Sequence, residues 1–282
     1  MTEARINPMG TDGIEFIEFA APDPAQADKL FRAIGFLPVA CHRSKDVTLY
    51  RQGGVNFILN SEPQSFAQSF ARVHGPSVCA VALRVTNARA ALERAERLGA
   101  ESVPLTAGPM ELNIPAVRAV GGSLLYLVDR YEGQGENQRG QVTIYDIDFV
   151  PIAGADAKAD GLGLTAIDRL VHTVHRGRAA VWTDFFCRLF SFAADGGALV
   201  SPCGKIRVEL REPAGEKDAA EGFLDAYHGE GIQQVVLAAA DLGAAADQLR
   251  RHQTPVRGEP SPGGSLALAE GIGPVGFALV QG

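Results

Sequence analysis

No part of this 282-residue chain approaches the run of about 18 apolar residues that a bilayer-spanning helix needs, which excludes a membrane partner of that kind. Cysteine is scarce: Cys41, Cys79, Cys187 and Cys203 lie far apart and form no CxxC, so neither a disulfide framework nor a structural zinc site is expected. Positive charge is also in deficit. Lys and Arg number 26 against 33 Asp and Glu, a net charge of -7, and the concentrated positive field that phosphate backbones require is missing. A nucleic-acid partner is therefore not expected. The opening residues, MTEARINPMGTDG, contain no apolar signal core, and the expectation is a cytoplasmic protein with reduced thiols. What is present is a globular balance, 46% apolar and 21% charged residues, in a chain long enough for two domains.

The chain repeats one pattern four times. GIEFIEFA (Gly13 to Ala20) alternates like a half-buried strand. A helix with Ala27, Leu30, Phe31 and Ile34 at helical spacing follows, closed by Gly35, and then strands near Leu37, Val47 to Arg51 and Val55 to Leu59. The second copy begins at Val78 to Val85, with Asn87 capping a helix through Leu98 and strands near Ser102, at Ile114 to Val120 and at Leu124 to Val128. The third opens at Ala166 to Val174, with a helix through Trp182, Phe185, Phe186 and Leu189 and strands near Phe192, Ala198 and Ile206. The fourth opens at Ile232 to Ala239, with Asp241 capping a helix through Arg251 and strands near Val256, Leu266 and Val275 to Val280. KLFRAIGF in copy one aligns with DFFCRLFSF in copy three. LRVTNARAALERAERLGA in copy two aligns with LAAADLGAAADQLRRHQT in copy four. The expected fold is α+β: four βαβββ modules paired into two open, curved-sheet domains, residues 1–150 and 164–282, joined by a linker at 151–163. The stretch VTIYDIDFV (Val142 to Val150) is expected to be a strand, with Asp146 and Asp148 on its solvated edge.

Paired βαβββ modules characterise the vicinal-oxygen-chelate superfamily. HRSKDVTLYRQGGVNFILN, HGPSV, TAGPMELNIPA, GGSLLYLVDRY and IYDIDFV resemble the amino-terminal domain of bacterial 4-hydroxyphenylpyruvate dioxygenases. AIDRLVHTVHRGR, VWTDFFCRLFSF, SPCGKIRVEL, YHGEGIQQVVLA and GPVGFALVQ carry the resemblance through the second half. It implies a structural first half and a second half in which two imidazoles and one carboxylate hold ferrous iron for a 2-oxoacid and dioxygen. Here the ligand positions read differently. The family's IDH is IDR, placing Arg169 at the first His; GIQQ places Gln234 at the second; GPVGFAL places Ala278 at the Glu. A guanidinium has five donors and no lone pair, an amide oxygen is a weak neutral ligand, and a methyl group binds no metal. No metal and no other cofactor is expected. The family's substrate-facing Asn becomes Arg211, its Gln near the EEFL helix becomes Ala219, and Gln233 is retained. The chain also stops at Gly282, where the family adds a helix over the active site.

Arg169, Arg211, Gln233 and Gln234 are thus the candidate residues of a metal-free cavity. Two guanidiniums there would receive a small carboxylate or aromatic acid, unless each is paired with a neighbouring acid such as Glu209 or Glu212. His172 and His175 lie three apart on a strand and so face opposite sides; His172 is expected in packing on the outer face. His228 and Glu230 are expected at the surface of a Gly-rich turn, and GQGEN and PSPGG are read as turns, not phosphate loops. The resemblance implies a homo-oligomer, dimer or tetramer. The reading is a family member without iron chemistry that acts as a small-acid binder or an interaction protein; an active dioxygenase with a rearranged site is the alternative.

Overall fold

The computed structural model describes residues 6–104, 108, 111–133, 141–155, 161–215, 218–261 and 263–282. GQGEN beyond its first glycine and Pro262 of PSPGG lie outside them. The first half runs β1 (Ile14–Ala20), α1 (Pro24–Ala33), β2 (Leu37–His42), β3 (Val47–Gln52), β4 (Val55–Asn60), α2 (Phe66–His74), β5 (Ser77–Arg84), α3 (Ala88–Arg97), β6 (Ala116–Arg118), β7 (Leu124–Val128), α4 (Ile144–Asp148) and β8 (Phe149–Pro151). The second runs β9 (Leu164–Thr173), α5 (Ala179–Phe190), β10 (Ala193–Asp195), β11 (Ala198–Val200), β12 (Arg207–Arg211), α6 (Ala219–Tyr227), β13 (Gly231–Ala239), α7 (Leu242–Arg251), β14 (Val256–Arg257), β15 (Ser265–Leu268) and β16 (Gly276–Gln281). Two eight-stranded sheets result, ordered β6-β7-β5-β1-β4-β3-β2-β8 and β10-β11-β12-β9-β13-β16-β15-β14. At the centre of each, the opening strand runs parallel to one neighbour and antiparallel to the other: β1 with β4 and β5, β9 with β12 and β13. This is the α+β architecture of two curved open sheets that the fourfold repeat predicts.

Local chemistry explains why the helices recur. Asp23, Asn87 and Asp241 stand at the N-caps of α1, α3 and α7, and each side chain accepts from a backbone N–H at 2.8–3.1 Å. Behind each cap, small or apolar residues at helical spacing turn inward: Ala27, Leu30 and Phe31 in α1; Ala88, Ala91 and Ala95 in α3; Leu242, Ala245, Ala246 and Leu249 in α7. No helix among the described residues is long and apolar enough to cross a membrane.

The expected strand at Val142 to Val150 is corrected: residues Ile144–Asp148 form α4 and only Phe149–Pro151 pair, as β8 on β2. Thr143 and Asp146 make a reciprocal capping box, which satisfies the exposed N–H groups of a short helix and outcompetes the period-two pattern. Asp146 is thus a cap, and Asp148 is buried, accepting from Leu112 N at 3.1 Å. Neither lies on a solvated strand edge. Helix α2 was not expected either; Ser65 caps it by accepting from Gln68 N at 3.1 Å.

The two halves share one core. Phe277 of β16 is fully buried, with its ring 5.9 Å from that of Phe19 and 6.1 Å from that of Phe57 in the first half. Backbone also meets backbone across the seam, reciprocally. Gly121 lies against the carbonyl of Glu230, and Gly273 against the carbonyl of Pro76, so closely that a Cβ at either glycine would overlap the oxygen. Pro76 of HGPS and Glu230 of HGEG occupy matching places in the repeat, so these are the same contact made in each direction. A cavity of about 20 Å³, room for about one water, lies at this seam between Leu83, Leu125, Leu170, His172, Phe186 and Ile206.

Candidate functional site

Strand register decides which side chains of the second sheet meet. Arg169 of β9 lies opposite Val236 of β13, which lies opposite Ala278 of β16. Gln234 lies opposite Val171, and Glu209 and Arg211 of β12 lie opposite Val171 and Thr173. Val171, Val236 and Ala278 pack into one small apolar cluster separate from the main core. Because side chains alternate, Leu170 and His172 point the other way, into the helix-covered core. The three positions where the resemblance implies iron ligands therefore do share one face, around a floor of Val171, Val236 and Ala278. By register the same row in the first sheet is Phe16, Ala82 and Tyr126, of which Phe16 and Ala82 are buried in one apolar cluster with Ile144 of α4 and Tyr126 packs against it.

The face is charged but neutralised. Arg169 Nη1 sits 2.6 Å from Asp168 Oδ2, and its Nε lies 3.5 Å from Glu209 Oε2. Arg211 Nε sits 2.7 Å from Glu209 Oε1. One carboxylate thus bridges two guanidiniums, and the open pair of arginines that a free anion pocket needs is not present. Of the two acids offered as partners, Glu209 takes the role. Glu212 instead accepts from Ala179 N at 2.6 Å at the start of α5, and the N–H groups of Ala179 and Gly177 hold its carboxyl below the usual range. Gln233 is turned away from the arginines: it accepts from Thr173 Oγ1 at 2.7 Å and donates to Ala219 O at 3.2 Å, tying the end of the cup to α6. Gln234 remains on the cup face.

These residues do not fit a transition metal. The first ligand position carries a cation already paired with two acids, the second an amide and the third a methyl group. Among the described residues, no group of three His, Cys, Asp or Glu is arranged to hold an ion.

His172 behaves as expected, buried at 5% exposure with its ring 6.1 Å from that of Phe186. Burial drives its pKa down to about 4, against a smaller opposing pull from the Leu170 carbonyl. Glu230 does not behave as expected. It is buried at 7% exposure and accepts from His175 N, Arg178 Nε and Trp182 Nε1 at 2.8–3.2 Å, while His228 beside it is exposed. Three donors offset the cost of burying the carboxylate, and they come from 48 to 55 residues upstream, beyond the reach of a local turn pattern.

The first sheet buries acids with less compensation. Glu18 accepts from Asn60 Nδ2 at 2.7 Å, Glu15 pairs with Arg84 at 2.5 Å, and burial raises both carboxyls. A raised carboxyl stabilises the fold below its unfolded pKa and loses that contribution as pH climbs through the folded value. Glu18→Gln keeps an oxygen for Asn60 without the charge. Urea titration at pH 7 is expected to find it more stable than wild type by about 1 kcal/mol, with the gain vanishing near pH 4.

A pair of curved, open βαβββ sheets with helices on their outer faces defines the vicinal-oxygen-chelate class. Residues 6–150 match the family model of the hydroxyphenylpyruvate dioxygenase N-terminal domain, and 162–270 that of the glyoxalase/bleomycin resistance protein/dioxygenase superfamily. The chain is 45% identical over 258 residues to a 4-hydroxyphenylpyruvate dioxygenase of Pseudomonas sp. (strain P.J. 874), covering 86% of this chain and 70% of the relative. It is 44% identical over 264 residues to hemolysin VllY of Vibrio vulnificus (strain CMCP6), covering 87% and 71%. A solved xylose isomerase-like TIM barrel/4-hydroxyphenylpyruvate dioxygenase fusion protein superposes at a TM-score of 0.79 with 31% identity, over 98% of this chain and 50% of that one. The chain belongs to the 4-hydroxyphenylpyruvate dioxygenase family.

Proposed function

We propose that this protein is a metal-free member of its family, without dioxygenase activity, whose second cup (in a domain spanning residues 164–282) binds a small organic acid. Residues 1–150 serve as the structural half, joined to it by the 151–163 linker, and the protein acts in the cytoplasm as a dimer or tetramer. The observation that carries the reading is the guanidinium of Arg169 standing in the ligand row, paired with Asp168 and Glu209, with Ala278 across from it. An arginine at that place repels a divalent ion and attracts a carboxylate. Arg211 and Gln234 complete the lining, and Gln233 braces the end of the cup against α6.

Two other readings have support. Identity of 45% to a relative named 4-hydroxyphenylpyruvate dioxygenase favours retained activity, which requires iron held by residues other than Arg169, Gln234 and Ala278. Likeness to one part of a barrel fusion favours a role as an interaction partner. Oxygen-electrode assays with 4-hydroxyphenylpyruvate and ferrous iron, run beside a thermal-shift titration with the same acid, separate the three. The proposal expects no oxygen uptake and a rising melting midpoint. Oxygen uptake establishes the enzyme instead; neither uptake nor shift leaves the interaction role.

A further inference from the structure

We infer that Glu209 is a resident stand-in for the ligand of the second cup: an incoming acid binds by taking over its two guanidinium partners, which sets the ligand class as a small monocarboxylate with a compact apolar body. This rests on the binding reading above and goes further in naming the gate and the chemistry it selects.

Glu209 divides its two oxygens between arginines from different strands, Oε1 to Arg211 at 2.7 Å and Oε2 to Arg169 at 3.5 Å. That is the way a bound carboxylate would lie between two guanidiniums, except that the chain supplies it. The contact is displaceable. The side chains of Arg169, Arg211 and Glu209 are 31%, 46% and 25% exposed, so solvent reaches the pair and screens it, and the Arg169 leg is long. The arrangement belongs to this cup alone: by register the first sheet has Ile58 where the second has Glu209.

What lies beneath fixes the rest of the ligand. Val171, Val236 and Ala278 form an almost fully buried floor of methyl groups under the charged layer, so moving that layer aside offers a small apolar surface. The amide of Gln234, on the same face, suits an oxo or hydroxyl substituent. Charge limits the number of carboxylates. Asp168 and Glu209 balance Arg169 and Arg211, and a displaced Glu209 stays tethered nearby, so a second ligand carboxylate meets uncompensated negative charge.

Calorimetric titration of the full chain with benzoate, and with phthalate as the dicarboxylate, tests the inference. Glu209→Gln is expected to bind benzoate at least about tenfold more tightly than wild type, since the amide keeps the shape but not the charge that holds the arginines. Glu209→Asp, too short to span both guanidiniums, should fall between. Phthalate should bind wild type about tenfold more weakly than benzoate, and R169Q/R211Q should erase the gain from Glu209→Gln. If wild type binds benzoate and Glu209→Gln binds it no better, or if R169Q/R211Q binds as well, Glu209 is no gate, although the binding reading survives. If neither wild type nor a Glu209→Gln protein with native circular dichroism binds benzoate, both fall together.

Discussion

Gly121→Ala is expected to cost at least about 3–4 kcal/mol and to leave the protein poorly folded, while Gly122→Ala, one residue on, costs about 1 kcal/mol. Both glycines hold positive φ, +64° and +81°, so an alanine at either meets the same backbone penalty. They differ in what stands opposite. A Cβ at Gly121 runs into the Glu230 carbonyl of the other half, whereas nothing lies within 4 Å of one at Gly122. Neither the glycine nor the carbonyl has a flexible side chain to give way, so the seam itself must open. Gly273→Ala, against Pro76, should reproduce the Gly121 result from the other side. Urea titration of the three variants reads the difference. Equal costs at Gly121 and Gly122 would mean that the halves are not pressed together there.

His172→Leu is expected to lose about 3 kcal/mol less stability than the wild-type protein between pH 6.5 and pH 4. His172 is held neutral by burial, with a pKa near 4 against an ordinary value of 6.5. Below pH 6.5 the unfolded chain takes up a proton that the folded chain refuses, so folding free energy drains away as the pH falls, by about 3 kcal/mol once pH 4 is reached. Glu15 and Glu18 work in the opposite sense and carboxyls held low, such as Glu111 and Glu212, in the same sense; both sets are the same in the two proteins, so the difference between variant and wild type isolates the imidazole. Urea midpoints at pH 7 and pH 4.5 supply the measurement. A variant that loses as much stability as wild type over that interval would place the acid response elsewhere.

Much of the fold could be read from the chain because its signals are local and repeated. Asn87 and Asp241 announce their helices within three residues, and the unbroken apolar run Val235 to Ala239 marks the buried end of β13. That Arg169, Gln234 and Ala278 share a face is what the resemblance implies, and no pattern in the strands themselves announces it. Local patterns failed where two of them overlapped, as in Thr143 to Val150, where a capping box sits inside a period-two alternation. They failed again where partners are remote. Glu230 looked like a turn residue because its donors lie in and before α5. The candidate site was half legible. Its members were visible, but the choice of Glu209 over Glu212 depends on which residue of β12 stands opposite Val171, a register set by the whole third module.

With Arg169, Gln234 and Ala278 in the ligand row, the second cup should not grip a transition metal. Elemental analysis of protein produced with added iron, beside the variant R169H/Q234H/A278E that restores two imidazoles and a carboxylate to that face, tests it most directly. Iron at background in the wild-type protein and bound metal in the variant are the expected results. A full equivalent of iron in the wild-type protein, retained through dialysis, would contradict it.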